Sequence, residues 1–170
     1  TGTGDKTLTG NAYSGSFTFT LEEYVGGAYI IDSSWNVLDT ATVTYENSLN
    51  GKSFVFDCDF GAFDTGGTYV YRVREAKPAV EGMVYDAKLH SFQINVTDND
   101  MDGQLEATVS TNRAPQITVS GSGNAWAVNA DFVNEYVNDH VVSISIDVQK
   151  EVTNLSGSPL GTSLSGFEFG

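Results

Sequence analysis

Apolar and polar residues alternate along most of this chain with a period of two, which places successive side chains on opposite faces of an extended strand. "SFTFTL" puts Phe17, Phe19 and Leu21 on one face, and "KSFVFDCDF" does the same with Phe54, Phe56, Cys58 and Phe60. "TYVYRVRE" aligns Tyr69, Tyr71, Val73 and Glu75, "SFQINV" aligns Phe92, Ile94 and Val96, and "QLEATV" aligns Leu105, Ala107 and Val109. "QITV" offers Ile117 and Val119, and "AWAVNADFVNEY" aligns Trp126, Val128, Ala130, Phe132, Asn134 and Tyr136. Near the end, "VVSISIDVQK" sets Val142, Ile144, Ile146 and Val148 in one row. Turn signals separate the runs: Asn50-Gly51, Gly66-Gly67, Asp102-Gly103 and "SGSGN". No segment holds a helical period over three turns. The pattern predicts an all-β, antiparallel β-sandwich.

Some of these apolar rows contain a polar residue. Glu75, Asn134 and Lys150 each continue a row that is otherwise apolar, and Lys6 shares a face with Leu8 in "DKTLTG". Taken singly, each is most simply read as a strand end facing water. Taken together, they are expected to meet one another or water, because an unpaired charge in a core is costly.

The end of the chain echoes its start. Lys6 is followed by "LTG" and then "FTF", and Lys150 by "LSG" and "FEF", with 11 residues from the lysine to the first Phe in one case and 17 in the other. A domain over residues 1–138 is therefore expected, with 139–170 the truncated start of a following repeat.

Composition narrows the function. The 170 residues are 40% hydrophobic and 12% aromatic, enough to fill a core. The formal charge is −14, from 22 acidic against 8 basic side chains with no basic cluster in sequence, so neither nucleic acid nor an anionic membrane surface is an expected partner. No apolar run approaches the roughly 20 residues of a membrane span, so membrane insertion is not expected. No signal peptide opens the chain, which reads as a mature or excised fragment. The single cysteine, Cys58, sits in an apolar run and reads as a small core residue.

The ordered set "DKTLTG…FTFTL", "GGTYVYRVRE", "VYDAKLHSFQINVTDNDMDGQLEATV" and "FVNEY" resembles the streptococcal-type pilin isopeptide-linkage domain of Gram-positive surface proteins, over roughly residues 5–137. The resemblance implies an Ig-like sandwich with an intramolecular isopeptide bond between a lysine of the first strand and an asparagine of the last, promoted by a glutamate. Carried onto this chain, the lysine is Lys6, the asparagine Asn134 and the glutamate Glu75. Lys150 looks like the corresponding lysine of the next domain. The same resemblance implies an extracellular stalk or shaft module of a pilin or adhesin, resistant to force and proteolysis. Its partners would be neighbouring domains of the same surface protein or fibre. Wall attachment would lie outside this fragment.

The chemistry is sound on its own terms. Burial disfavours an ammonium and so frees a lysine amine to attack. A neutral Glu75 could donate to the amide oxygen of Asn134, stabilise the oxyanion and shuttle protons as ammonia leaves. By strand parity, Phe17, Phe19, Tyr69, Tyr71 and Phe132 are expected to keep the site dry. One turnover in a fixed core needs no separate enzyme and no cofactor.

Readings from other classes are weaker. Trp35 and Trp126 could form a shelf for a host sugar or protein, making the chain a ligand-binding adhesin module. A glycosidase would need paired carboxylates at a recognisable spacing, and His90 and His140 have no nucleophile motif beside them. Asp98, Asp100, Asp102 and Gly103 resemble the opening of a calcium loop. The position that should carry its bidentate glutamate is Val109, so a hairpin turn without metal is expected. The apolar row 142–148 is expected to be extended and to pair with another copy or with an edge of its own domain, leaving the Lys150 amine free.

Overall fold

The inward row of the first strand is made of very small residues followed by one long one: Gly2, Gly4, Lys6 and Leu8 are buried, while Asp5, Thr7 and Thr9 face water. The structure is a computed structural model and describes residues 2–26, 34–57, 60, 63–111, 116–122 and 125–138. These fall in the unit that ends at Asp139. Cys58, His140, the apolar row 142–148, Lys150 and the expected following repeat lie outside the described residues.

Ten strands follow in order: β1 Gly2–Gly10, β2 Tyr13–Tyr24, β3 Trp35–Ser48, β4 Lys52–Phe56, β5 Gly67–Glu75, β6 Met83–Val84, β7 Ser91–Thr97, β8 Glu106–Ser110, β9 Ile117–Ser122 and β10 Ala125–Tyr136. They form two five-stranded sheets. One has the order β4-β1-β10-β6, with β9 also paired to β10; the other runs β3-β2-β5-β7-β8. The fold is an all-β, Ig-like sandwich, as the alternation predicts.

The sheets are antiparallel with one exception. β1 and β10 run parallel, in register from Gly2 opposite Val128 to Gly10 opposite Tyr136. A parallel pair requires a long crossover, and here nearly the whole domain is that crossover. First and last strands are therefore hydrogen-bonded neighbours at the centre of one sheet.

Four local features differ from the sequence pattern. β3, with 14 residues, was not anticipated, because it is an edge strand on which only Val43 and Tyr45 are buried. Leu105 precedes β8 and is exposed, so the row there begins with Ala107. Asn50-Gly51 does not close a hairpin, since β3 and β4 belong to different sheets and the chain crosses between layers there. Glu22 is buried although it lies on the outward face of β2, where Thr20 donates to it at 3.0 Å and Arg72 Nε at 2.5 Å. The register shift opposite Leu21/Glu22 leaves Leu38 of β3 as an extra residue, while β2 stays in unbroken register with β5.

The two inner faces share one core. Phe19 of β2 stacks on Phe54 of β4 at 4.1 Å and 8°, and also touches Phe132 of β10 at 5.0 Å. The absence of a side chain at Gly4 makes room for this stack, since a Cβ there would lie 2.1 Å from a Phe54 ring atom. The Phe54 ring cannot retreat, being held by Phe19 on one face and by Phe56 edge-on at 5.5 Å. Gly4→Ala is therefore expected to destabilise the domain by about 1–3 kcal/mol through overpacking. Denaturant unfolding of the two proteins checks this, and an unchanged midpoint would mean the stack is looser than described.

Candidate functional site

Strand parity and the β1–β10 register bring the polar residues of the apolar rows together. Lys6 pairs with Phe132, and Leu8 with Asn134, so Lys6 and Asn134 are successive inward positions across a parallel pair. Glu75 ends β5 in the opposite sheet, opposite Phe19 of β2. The side chains of Lys6 and Glu75 are 0% exposed and Asn134 is 1% exposed.

The three meet at one oxygen. Lys6 Nζ lies 2.9 Å from Glu75 Oε1, and Asn134 Nδ2 donates to the same Oε1 at 2.9 Å. The lysine contact is short but is not aligned as a hydrogen bond, and Glu75 Oε2 has no hydrogen-bond partner among the described residues. At the other end of the amide, Asn134 Oδ1 accepts from the backbone N–H of Asp86 at 2.8 Å. That donor fixes the amide's orientation, since only an oxygen can face an N–H and the Nδ2 must then face the carboxylate.

Around Lys6 the walls are aromatic. Its Nζ sits 4.6 Å from the Phe17 ring centroid, and its backbone carbonyl accepts from Tyr45 Oη at 2.7 Å. Phe17 in turn meets Tyr45 edge-on at 5.6 Å and Tyr85 at 6.5 Å. Phe132 stacks on the His90 ring at 3.7 Å. Of the five aromatic residues expected here, Phe17 faces the Lys6 amine, Phe132 pairs with Lys6 across the strands, and Phe19 packs on Phe132. Tyr69 and Tyr71 lie further back along β5, where Tyr69 packs on Phe63 and Tyr71 on Phe60 and Phe92.

Burial and charge act in opposite directions on Lys6. Desolvation holds its pKa below the ordinary 10.5, against the opposing pull of the Glu75 contact and charge and of the Asp86 charge. Burial, together with the Glu75 charge, raises the Tyr45 phenol; for Tyr85 the causes are burial, Tyr13 and Glu75. Asp86 is the converse case. Burial alone would raise its carboxyl, but the N–H groups of Val133 and Lys88, helped by nearby positive charge, hold it below its usual value.

Four neighbours of the site, Tyr45, Tyr85, Asp86 and His90, were not singled out from the sequence for this role. Tyr45 had a signal, since it alternates with Val43. The other three lie between β5 and β7, where the only strand is the two-residue β6 and no periodicity marks a face.

The other candidates are spread elsewhere. Trp35 belongs to the β3 sheet and lies under the Arg72 guanidinium at 4.0 Å, whereas Trp126 belongs to β10 and donates to Ala107 O at 3.0 Å. Both tryptophans thus anchor the chain's own sheets. The ring nitrogens of His90 lie 2.8 Å from Asp131 O and 3.1 Å from Lys88 O, so the imidazole bridges backbone segments. Asp98, Asp100 and Asp102 gather with Glu106, their ligand atoms all within 4.8 Å of one another. The carboxylates accept from loop N–H groups: Asp98 from Asp102 and Gly103, Asp102 from Gln104, and Glu106 from Asn99. Val109, in β8, pairs with Ile94.

Residues 3–137 match the family described as FctA, the Spy0128-like isopeptide containing domain. The chain belongs to this family. No curated protein matches it. Among solved structures it is similar to the major pilin from Streptococcus pyogenes, with 22% identity, a TM-score of 0.47, and coverage of 79% of this chain and 49% of that one. It is also similar to the T-13 major pilin of S. pyogenes serotype GAS131465, with 18% identity, a TM-score of 0.47, and coverage of 79% and 51%. The chain spans about half the length of these structures. Among the described residues, no helix is long and apolar enough to cross a membrane.

In this FctA-family domain, the lowered Lys6 pKa carries a stability signature wherever the amine stays free, as in Asn134→Ala. The folded state favours neutral Lys6, so between its lowered pKa and 10.5 the unfolded chain binds more protons. Stability should therefore rise with pH across that window and be lost as pH falls. The window is read below pH 10.0, above which the raised Tyr45 and Tyr85 oppose it as the unfolded phenols ionise. Thermal melts of Asn134→Ala against pH, compared with Lys6→Met/Asn134→Ala, check this. Equal slopes for the two would contradict the buried-amine account.

Proposed function

We propose that the domain is a stalk or shaft module of a Gram-positive surface pilin or adhesin, locked by an autocatalytic bond between Lys6 and Asn134. The observation that supports this reading is the convergence of Lys6 Nζ and Asn134 Nδ2 on one buried oxygen of Glu75. Membership of an isopeptide-containing family supports it independently.

The reaction balances within these three side chains. The neutral Lys6 amine attacks Asn134 Cγ, and the C=O electron pair moves onto Oδ1. Glu75 gives a proton to Nδ2, which leaves as ammonia while the C=O reforms. Nζ returns a proton to Glu75, so the carboxyl group ends as it began. The folded core supplies proximity, and the reaction runs once.

The value of the bond is mechanical. β1 and β10 carry the first and last strands of the domain side by side, so force entering through β1 would cross the bond to β10 without unzipping the strands between. As a crosslink enclosing most of the chain it would add about 4–5 kcal/mol on loop-entropy grounds. Such a module suits a load-bearing fibre outside the cell, joined to neighbouring domains and anchored to the wall through another region.

Intact mass tests the proposal. The wild-type protein, 18.2 kDa by sequence, should weigh one ammonia less. Glu75→Ala should restore the full mass and lower the melting temperature by roughly 10–20 °C. A folded wild-type protein at the full sequence mass would refute the linkage.

A further inference from the structure

We propose that the backbone N–H of Asp86 is the oxyanion donor of the bond-forming reaction, and that the Asp86 carboxylate positions it. The proposal rests on the Lys6–Asn134 linkage above. It removes from Glu75 one of the tasks that the sequence assigned to it.

The geometry divides the work between the two ends of the Asn134 amide. Glu75 Oε1 faces Nδ2, the atom that must leave, and Nζ, the atom that attacks. Oδ1, the atom that gains charge when Nζ adds to Cγ, faces Asp86 N at 2.8 Å. That distance lies within the 2.7–3.1 Å expected of a preorganised oxyanion donor. The site is dry, with Asn134 1% and Asp86 7% exposed, so the N–H acts in surroundings where water cannot take over its role.

The Asp86 side chain explains why a residue outside regular structure can hold such a position. Its Oδ2 accepts from Val133 N at 3.0 Å, the residue just before Asn134 on β10, and its Oδ1 accepts from Lys88 N at 2.8 Å. Lys77 Nζ donates to the Asp86 carbonyl on the other side. One carboxylate therefore ties the segment to the backbone beside the reacting residue and sets the N–H against Oδ1. As the addition proceeds, the electron pair on Oδ1 is held by this N–H. When ammonia departs with the proton from Glu75, the C=O reforms, still accepting the same hydrogen bond. The N–H gives up no proton, so Glu75 alone handles proton transfer.

The test follows the loss of ammonia by mass spectrometry during a chase of newly translated chains. Replacing Asp86 by its α-hydroxy acid counterpart turns the N–H into an ester oxygen and keeps the carboxylate; this chain should link roughly 10²-fold more slowly than wild type. Asp86→Ala keeps the N–H but loses its anchor, and should also be slow. In a Lys6→Ala background, where no bond can form, both chains should keep the native near-UV circular dichroism spectrum. A chain that loses that spectrum assigns the slowing to folding and overturns the proposal. Linking by either chain at the wild-type rate also overturns it, while leaving the linkage intact. A wild-type chain that never loses ammonia would instead refute the linkage on which the proposal stands.

Discussion

An ammonium and a carboxylate buried together, with most of their hydrogen-bonding capacity unfilled, cost several kcal/mol per ion unless something compensates. Lys6 and Glu75, were both charged, would be in this position: both side chains are fully buried, and one carboxylate oxygen has no hydrogen-bond partner among the described residues. Much of the rest of the domain reads as the arrangement that makes this burial unavoidable. Gly2 and Gly4 let β1 pack tightly beneath Phe56 and Phe54, which carries Lys6 inward. The parallel pairing of β1 with β10 sets Asn134 one inward step beyond Lys6. Phe17, Tyr45 and Phe132 then close the site to water. As a structural ion pair this is poor design. Under the proposed linkage the same side chains are reactants, and their lack of solvation has a use.

What could be read in the sequence follows from what has a period. Lys6, Glu75 and Asn134 were each visible as polar residues in apolar rows, because a strand repeats every two residues and a misplaced side chain stands out. The parallel β1–β10 pair has no such signature in the residues themselves. Alternation gives the face of a strand but not its neighbour; the tie between first and last strands came from the resemblance. β3 was missed because an edge strand carrying Thr40, Thr42 and Thr44 outward needs few apolar residues to hold its place. Glu22 was missed because it is buried on the outward face of β2 by its contacts with Arg72 and Thr20, where alternation predicts an exposed side chain.

The segment between β5 and β7 shows where pattern reading ends. Asp86, His90 and Tyr85 reach the site from a region with almost no regular structure, each held by individual hydrogen bonds or ring contacts. Such positions are set by tertiary contacts, to β10 above all, and one of them, Asp86, carries the N–H that meets the far end of the Asn134 amide. The sheets position Lys6, Glu75 and Asn134, and the irregular segment supplies part of the polar surroundings.

The proposed bond joins two particular side chains, and sequencing the joined peptides tests it without an intermediate inference. Proteolytic digestion of folded, purified protein followed by fragmentation mass spectrometry should yield one branched peptide, with the segment containing Lys6 linked through its Nζ to the segment containing Asn134 and one ammonia lost. Linear peptides alone, with Lys6 and Asn134 both unmodified, would contradict the account.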